Sequence, residues 1–497
     1  MEWQHSLREA VAGVQTRTKA AKLRVMIPQI EQRLAEGVRI SDIVEALNAN
    51  GLPITIATLK SYLYRHRKSQ REQLPDSDQH RSSIPRSSTD GGPGTGELQL
   101  PVAVTGDSTT LTPVLLRHIN TVRCLRMLRG GTTLSRAELA RELGLTRATI
   151  GNAVKELIDS SLVAEAPGRL DDGRPGRPGA GIRLNPSGAY SIGIDVSSSS
   201  LTAVLLNLEM RVVRRITEPI ESEPKAPEHL IEQIGRLPSR IAVTEGVDTT
   251  RIQGVCISIP GLVDHSGRVV VAPFLGWREV PLRQQLSSRT DLPWPVSICN
   301  DAVAFANAER TVADGNDAQN MLLLLLAEGL GGAIIQRGRI LEGAHGYAGE
   351  IGHMVMGASP NAASTQTFEL LAGYELFRPL LPRDRPLAEG LQWLAKHGRQ
   401  TGEEFGRVCD TWAHTLATGI LNLVYLLDPE RIVLGGPLSV LFPHVETKVK
   451  HLLSDHLLHG FQLPPITVTR FGADGAAIGA ASIVRDRLFA LPRLERS

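Results

Sequence analysis

Ser191-Ile192-Gly193-Ile194-Asp195-Val196-Ser197-Ser198-Ser199-Ser200 is the stretch that decides the fold. Its first six residues have the length and apolar content of a buried strand, and a polar turn of serines follows. Leu201 to Asn207 and Val212 to Ile216 then succeed one another in hairpin spacing. From there strand-like runs alternate with helical ones toward the C-terminus, the pattern of an α/β domain. Gly254 to Asp264 reads as a strand that ends in the Pro260-Gly261 turn, and Val296-Ser297-Ile298-Cys299-Asn300-Asp301 puts two polar side chains just past a strand's end. A helix rich in small residues, Ala302 to Arg310, follows them. Open α/β sheets bind ligands at such strand C-termini.

Upstream of this domain the composition changes. The 497 residues carry 54 Lys+Arg and 52 Asp+Glu, a net charge of +2, but the charge is segregated. Residues 1–72 and residues 112–185 each hold 12 basic and 7 acidic side chains, so the remainder is acidic. Two basic modules on an acidic body are the footprint of nucleic-acid binding. Residues 73–111, with Ser82-Ser83-Ile84-Pro85 and Gly91-Gly92-Pro93-Gly94, read as a flexible linker. The domain plan is therefore 1–72, linker 73–111, 112–185 and 186–497. The longest apolar run, around Met321 to Ala327, is far shorter than a membrane span. No signal-peptide core opens the chain, which points to a cytoplasmic protein. The four cysteines are scattered without a CxxC, so neither a disulfide framework nor a cysteine zinc site is indicated.

Residues 112–185 spell a winged helix-turn-helix. Leu115, Leu116, Ile119, Val122, Leu125 and Leu128 have helical spacing, and Gly130-Gly131 ends that helix. Ser135 caps a second helix with Glu138 as its capping-box partner. Gly144 makes the turn, and Thr146 caps a third helix whose buried face is Ile150, Val154, Leu157 and Ile158. In that arrangement Ser135, Arg136, Thr146, Arg147, Thr149, Asn152 and Lys155 are the candidates to reach bases or phosphates. Leu162 to Glu165 and Ile182 to Leu184 form a wing, and Arg174 and Arg177 at its tip suit a narrow minor groove.

A second, HTH-like helical module occupies residues 1–72. Ile30 and Leu34 share one helix, Ser41 caps a helix bearing Ile43, Val44 and Leu47, and a third helix carries Leu59, Tyr62 and Leu63. Lys60, Arg65, Arg67 and Lys68 cluster toward its end, a further candidate for phosphate contact.

From about residue 112 onward the ordered landmarks resemble the ROK family of repressors and sugar kinases. They are the Asp195 strand, Pro260-Gly261-Leu262-Val263-Asp264, Leu275-Gly276-Trp277, Asn300-Asp301, Ala348-Gly349-Glu350-Ile351-Gly352-His353, Leu434-Gly435-Gly436 and Gly475 to Ala481. The resemblance implies a two-lobed, actin-like or hexokinase-like α/β fold with a sugar held in the cleft. It assigns the sugar contacts to Asn300, Asp301, Glu350, His353 and Glu369, with Asp301 at the position of the kinase base. Carboxylates and carboxamides at fixed positions suit a ring of hydroxyls, each both donor and acceptor.

Three departures from the family pattern separate regulator from kinase. The phosphate-binding D-x-G-G-T is here Asp195-Val196-Ser197-Ser198-Ser199, so both glycines have become serine. The second phosphate loop, G-T-G-x-G, is Ala327-Glu328-Gly329-Leu330-Gly331, which brings a carboxylate toward polyphosphate. The zinc-binding cysteine cluster is missing from Gly357 to Glu369, so no metal and no nucleotide cofactor is expected. The expectation is a sugar-responsive transcriptional regulator, a repressor whose partners are operator DNA, a hexose or related sugar, and further copies of itself in a homodimer or larger homo-oligomer. A ROK-type, ATP-dependent sugar kinase with a DNA-binding head is the alternative.

Overall fold

The computed structural model describes residues 113–167, 180–220, 227–244, 246–312, 319–357, 366–382 and 385–491, with 40–49 and single positions before that. The chain divides into two compact units, residues 1–105 and 106–497. In the first, helix α1 spans Ile40–Ala49, and Ile43 and Leu47 join Ile27, Ile30, Leu59 and Leu63 in a small core. Ser41, expected as the cap, falls within Ile40–Ala49, and Ile40 packs against that core. Lys60, Arg65, Arg67 and Lys68 lie outside the described residues.

The second unit opens with the winged helix. Helix α2 is Pro113–Met127, and it stops where Gly130 and Gly131 both take positive φ. Strand β1 is Leu134–Ser135 and α3 is Arg136–Leu143. Ser135 and Glu138 form the full capping box, and Gly144 at φ 64° ends α3 in the left-handed conformation that glycine adopts without a Cβ clash. Thr146 caps α4, Arg147–Asp159. Strands β2, Val163–Ala166, and β3, Gly181–Leu184, complete a three-stranded antiparallel sheet in the order β1-β3-β2. Leu125, Leu128, Leu139, Ile150, Val154 and Leu157 fill the core of this head. Leu116 does not join them. It is 43% exposed, because the first turns of α2 project beyond the core. The wing tip, with Arg174 and Arg177, lies outside the described residues.

The body is two mixed five-stranded sheets built on one plan. The first has the order β11-β7-β4-β5-β6: β4 (Tyr190–Val196), β5 (Ser200–Asn207) and β6 (Val212–Pro219) run antiparallel, and β7 (Ile252–Ile259) and β11 (Val296–Asn300) extend it in parallel. Helix α5, Pro227–Ala242, covers its outer face. Strands β8 (Leu262–Val263), β9 (Val269–Ala272) and β10 (Trp277–Val280) make a small antiparallel sheet at its edge, followed by α6, Leu282–Ser287. The second sheet repeats the scheme as β14-β13-β12-β17-β18. Its members are β12 (Met321–Leu326), β13 (Leu330–Gln336), β14 (Arg339–Ile340), β17 (Arg431–Gly435) and β18 (Ile466–Val468). A ribbon of β15 (Val355–Gly357) and β16 (Gln366–Thr367) leads into α8, Phe368–Ala372. The outer core of this lobe packs around α10, the 25-residue helix Glu403–Leu427, with α9 (Leu387–His397) and α11 (Glu446–His456) beside it. Within it Trp412 donates its indole N–H to the Ala372 carbonyl at 2.9 Å.

Two helices lie between the sheets. Helix α7, Asp301–Val312, packs Ala302, Phe305 and Ala306 on β12 and β13 of the second lobe. Helix α12, Gly475–Asp486, packs Ala477, Ile478 and Ala481 against β5 of the first. They touch backbone to backbone: a Cβ at Gly479 would stand 1.7 Å from the Ala304 carbonyl oxygen. Small residues at these positions are therefore a packing requirement.

Candidate sugar cleft and DNA-reading face

The cleft opens where β11 ends and α7 begins. Asn300 closes the strand, and its carboxamide is held from both sides. Its Nδ2 donates to the Gly261 carbonyl at 3.1 Å, and its Oδ1 accepts the Val303 N–H at 3.1 Å, capping α7. Asp301, next in line, accepts the Ala302 N–H at 2.9 Å. Burial, reinforced by the charge of Asp195, pushes its carboxyl up to about 8. Asp195, at the end of β4, is raised to about 6 by burial against the opposing hydrogen bond from Ser258, whose hydroxyl donates to it at 2.7 Å.

The second lobe supplies the remaining groups. Glu350 precedes a short 3-10 turn, Ile351–His353, and His353 ends it, with Nε2 3.8 Å from the Glu350 carboxylate. Burial raises Glu350 above the usual carboxylate range, and His353 opposes the shift. The imidazole is itself 66% exposed at the cleft surface. Glu369, in the first turn of α8, accepts the Leu330 N–H at 2.9 Å, so it braces the β12–β13 turn. Its Oε2 lies 2.5 Å from the point a Cβ of Gly329 would occupy, and the half-exposed Phe274 ring reaches within 3.1 Å of the same point. The charge of Glu350 helps raise Asp301, and that of Glu369 helps raise Glu350. Phe274 and Ser258 carried no sequence signal of a site role: one reads as a loop aromatic, the other as a strand residue.

The β12–β13 turn that Glu369 braces also meets the turn after β4. The Ser198 N–H donates to Glu328 Oε2 at 3.2 Å and its hydroxyl donates to the other carboxylate oxygen. The two segments that depart from phosphate-loop patterns are therefore bonded to each other across the lobes. The charge of Glu328 also reaches Asp195 and helps raise it. A set of carboxylates lining one cleft accepts hydroxyl donors well and receives polyphosphate poorly.

Donors for a metal are a poor match. His353 pairs with Glu350, the segment 357–369 has no cysteine, and among the described residues no three His, Cys, Asp or Glu side chains form a metal-holding group. No helix among them is long and apolar enough to cross a membrane.

On the head, Arg147, Asn152 and Lys155 are exposed on α4. At 100° per residue they share a face with Ala148 and Gly151, two residues small enough to let another surface come close. Thr146 Oγ1 accepts the Thr149 N–H at 3.1 Å, so this pair holds the helix start. Ser135 spends its hydroxyl on the Glu138 N–H at 3.2 Å. Arg136, at the start of α3, pairs with Glu165 of the wing at 2.8 Å, both largely exposed.

Residues 191–487 match the model of the ROK family. The xylose repressor of Caldicellulosiruptor bescii is 26% identical over 404 residues, covering 76% of this chain and 98% of that protein. The glucokinase of Thermotoga maritima is 25% identical over 321 residues, covering 60% of this chain and 98% of its own. Among solved structures, a ROK family transcriptional regulator homologous to the Escherichia coli MLC protein superposes with a TM-score of 0.60 at 22% identity, over 76% of this chain and 97% of that one. The glucokinase covers a smaller share of the chain than the xylose repressor and the regulator structure do. With more than half of its residues under the one family model, this chain belongs to the ROK family.

Proposed function

We propose that the protein is a sugar-responsive, DNA-binding transcriptional repressor. Its winged helix reads an operator through Arg147, Thr149, Asn152 and Lys155, with Ser135, Arg136 and Thr146 setting the helix starts and Arg174 and Arg177 on the wing. A sugar binds between the lobes at Asn300, Asp301, Glu350, His353 and Glu369. Xylose repressors among the relatives make D-xylose the first effector to test, with D-glucose second.

The observation that carries the non-catalytic part of this reading is the Ser198–Glu328 bond. A kinase needs backbone N–H groups free to cradle phosphate. Here the protein's own carboxylate takes the Ser198 N–H and hydroxyl. Asp301 at the position of a base toward a sugar hydroxyl then has no phosphoryl donor to work with. The residues at the zinc position do not fit that ion, and the reading includes no metal. The protein acts as a homo-oligomer on paired half-sites, the arrangement by which winged helices gain specificity.

Two measurements test this. Thermal unfolding with D-xylose or D-glucose should give a higher midpoint in wild type and an unchanged one in Asn300→Ala and Asp301→Asn. A coupled assay with ATP and either sugar should show no turnover. Turnover would return the chain to the kinases.

A further inference from the structure

Asp486 joins the far end of the helix that begins at the sugar cleft to the DNA-reading head. It ends α12, and its two carboxylate oxygens serve different partners. Oδ2 accepts from Arg310 at 2.7 Å and from the Thr311 hydroxyl at 3.4 Å, both on α7. Oδ1 takes Arg129 of the head at 3.3 Å and Arg485 at 3.3 Å. The carboxyl side chain is 14% exposed and the three guanidiniums 32%, 21% and 4%, so the ion pairs are shielded from bulk water.

Both sides of this junction are anchored. On the cleft side, α7 begins at Asp301 and reaches Arg310 nine residues, roughly 14 Å, later. Arg310 also bonds Asn307 Oδ1 at 2.6 Å, and Asn307 Nδ2 donates to Ser482 of α12 at 2.7 Å. With Gly479 against Ala304, the two helices cannot slide without disturbing these bonds. On the head side, Arg126 Nε donates to the Phe489 carbonyl at 2.6 Å. Arg129 lies 4.1 Å over the Phe489 ring, and that ring is fully buried in the core of the winged helix together with Leu208. The head is therefore seated on the residues that directly follow Asp486.

We infer that Asp486 is the positioning residue that transmits sugar occupancy to the DNA-reading head. The inference rests on the function proposed above. A sugar that draws on Asn300 and Asp301 acts on the first turn of α7. The far end of that helix holds one oxygen of Asp486, and the head holds the other. A displacement of α7 is passed through these contacts to α12, and so moves the carboxylate under Arg129 and with it the seat of α2. The head can respond only if the sugar prefers one arrangement of the helix.

The test uses the full-length protein, a duplex recovered by wild type from a randomised library, and D-xylose and D-glucose as probes. Sugar affinity is measured by calorimetry, and DNA affinity with and without sugar. Arg129→Gln and Arg310→Gln each remove one arm and leave the sugar and DNA contacts in place; Asp486→Asn removes the charge that both arms share, and as the third variant it should lose the sugar-dependent change in the same way. Wild type should change its DNA affinity by about fivefold or more on sugar binding, the usual scale of coupling between sites. Arg129→Gln and Arg310→Gln should bind sugar as wild type does, yet show a sugar-dependent change below about twofold. Variants that stay folded, bind sugar and keep the wild-type ratio would overturn the inference while leaving the function standing. A wild-type protein whose DNA affinity neither sugar alters would overturn both.

Discussion

Gly479→Ala and Gly406→Ala make the same chemical change in two helices and should act with opposite sign. At Gly406, in α10, a new Cβ meets nothing within 4 Å. The substitution there only restricts the unfolded chain and improves helix propensity, so it should stabilise by about 0.5–1 kcal/mol. At Gly479 the same methyl would stand 1.7 Å from the Ala304 carbonyl oxygen and 2.4 Å from its carbon. Contacts of that kind are not made below 3.0 Å, so α7 and α12 must separate by at least about 1.3 Å. The obstacle is backbone, which has no rotamer to yield. Overpacking typically costs about 1–3 kcal/mol, and the loss of interdigitation along both helices puts this site at the upper end or beyond. After the propensity gain of about 1 kcal/mol, a net loss of about 2 kcal/mol or more is expected. Urea unfolding followed by circular dichroism measures both variants against wild type. Equal stability of the two variants would refute the claim that the helices meet backbone to backbone, and with it the rigid link between cleft and head.

Three further outcomes follow from particular residues. Asp301, raised to about 8, and Asp195, raised to about 6, bind protons in the folded state that they release when unfolded, where their ordinary value is 3.8. Their contribution to stability is therefore full below about pH 4 and is lost as pH rises through these values, and Asp301→Asn should flatten the decline seen in thermal unfolding between pH 5 and 8. Gly151→Ala should raise the melting temperature yet weaken DNA binding by about tenfold, or about 1.4 kcal/mol, because its open position faces outward with Arg147 and Lys155; a fluorescence titration on a short duplex reads the effect. Arg174→Ala with Arg177→Ala should lower the slope of log affinity against log salt by about two, and an unchanged slope would remove the wing from the interface.

Much of the fold was legible because local rules and tertiary packing agree. The Asp195 strand and its two hairpin partners, the capping box at Ser135, and the left-handed Gly144 all have short-range causes. The Asn300–Asp301 pair was legible by its place after a strand. What it does was only half legible, since Asn300 both caps α7 and holds the Gly261 carbonyl, and the second bond joins residues 39 apart. Glu328 was readable as a misplaced negative charge, but its bond to Ser198 spans 130 residues and two lobes. Asp486 could not be found at all. It follows an arginine at the end of a helix, and only the return of Arg310 on α7 and of Arg129 just past α2 to that point, 176 and 357 residues away in sequence, gives it these partners.

The central claim is that a sugar in the cleft governs the head on DNA. Equilibrium DNA binding by the full-length protein, with and without D-xylose or D-glucose, tests it most directly, with Asp301→Asn alongside. A fivefold or larger, roughly 1 kcal/mol or more, sugar-dependent change in wild type that disappears in the variant is the predicted result. A DNA affinity that no sugar alters, or an equal response in the variant, would contradict it.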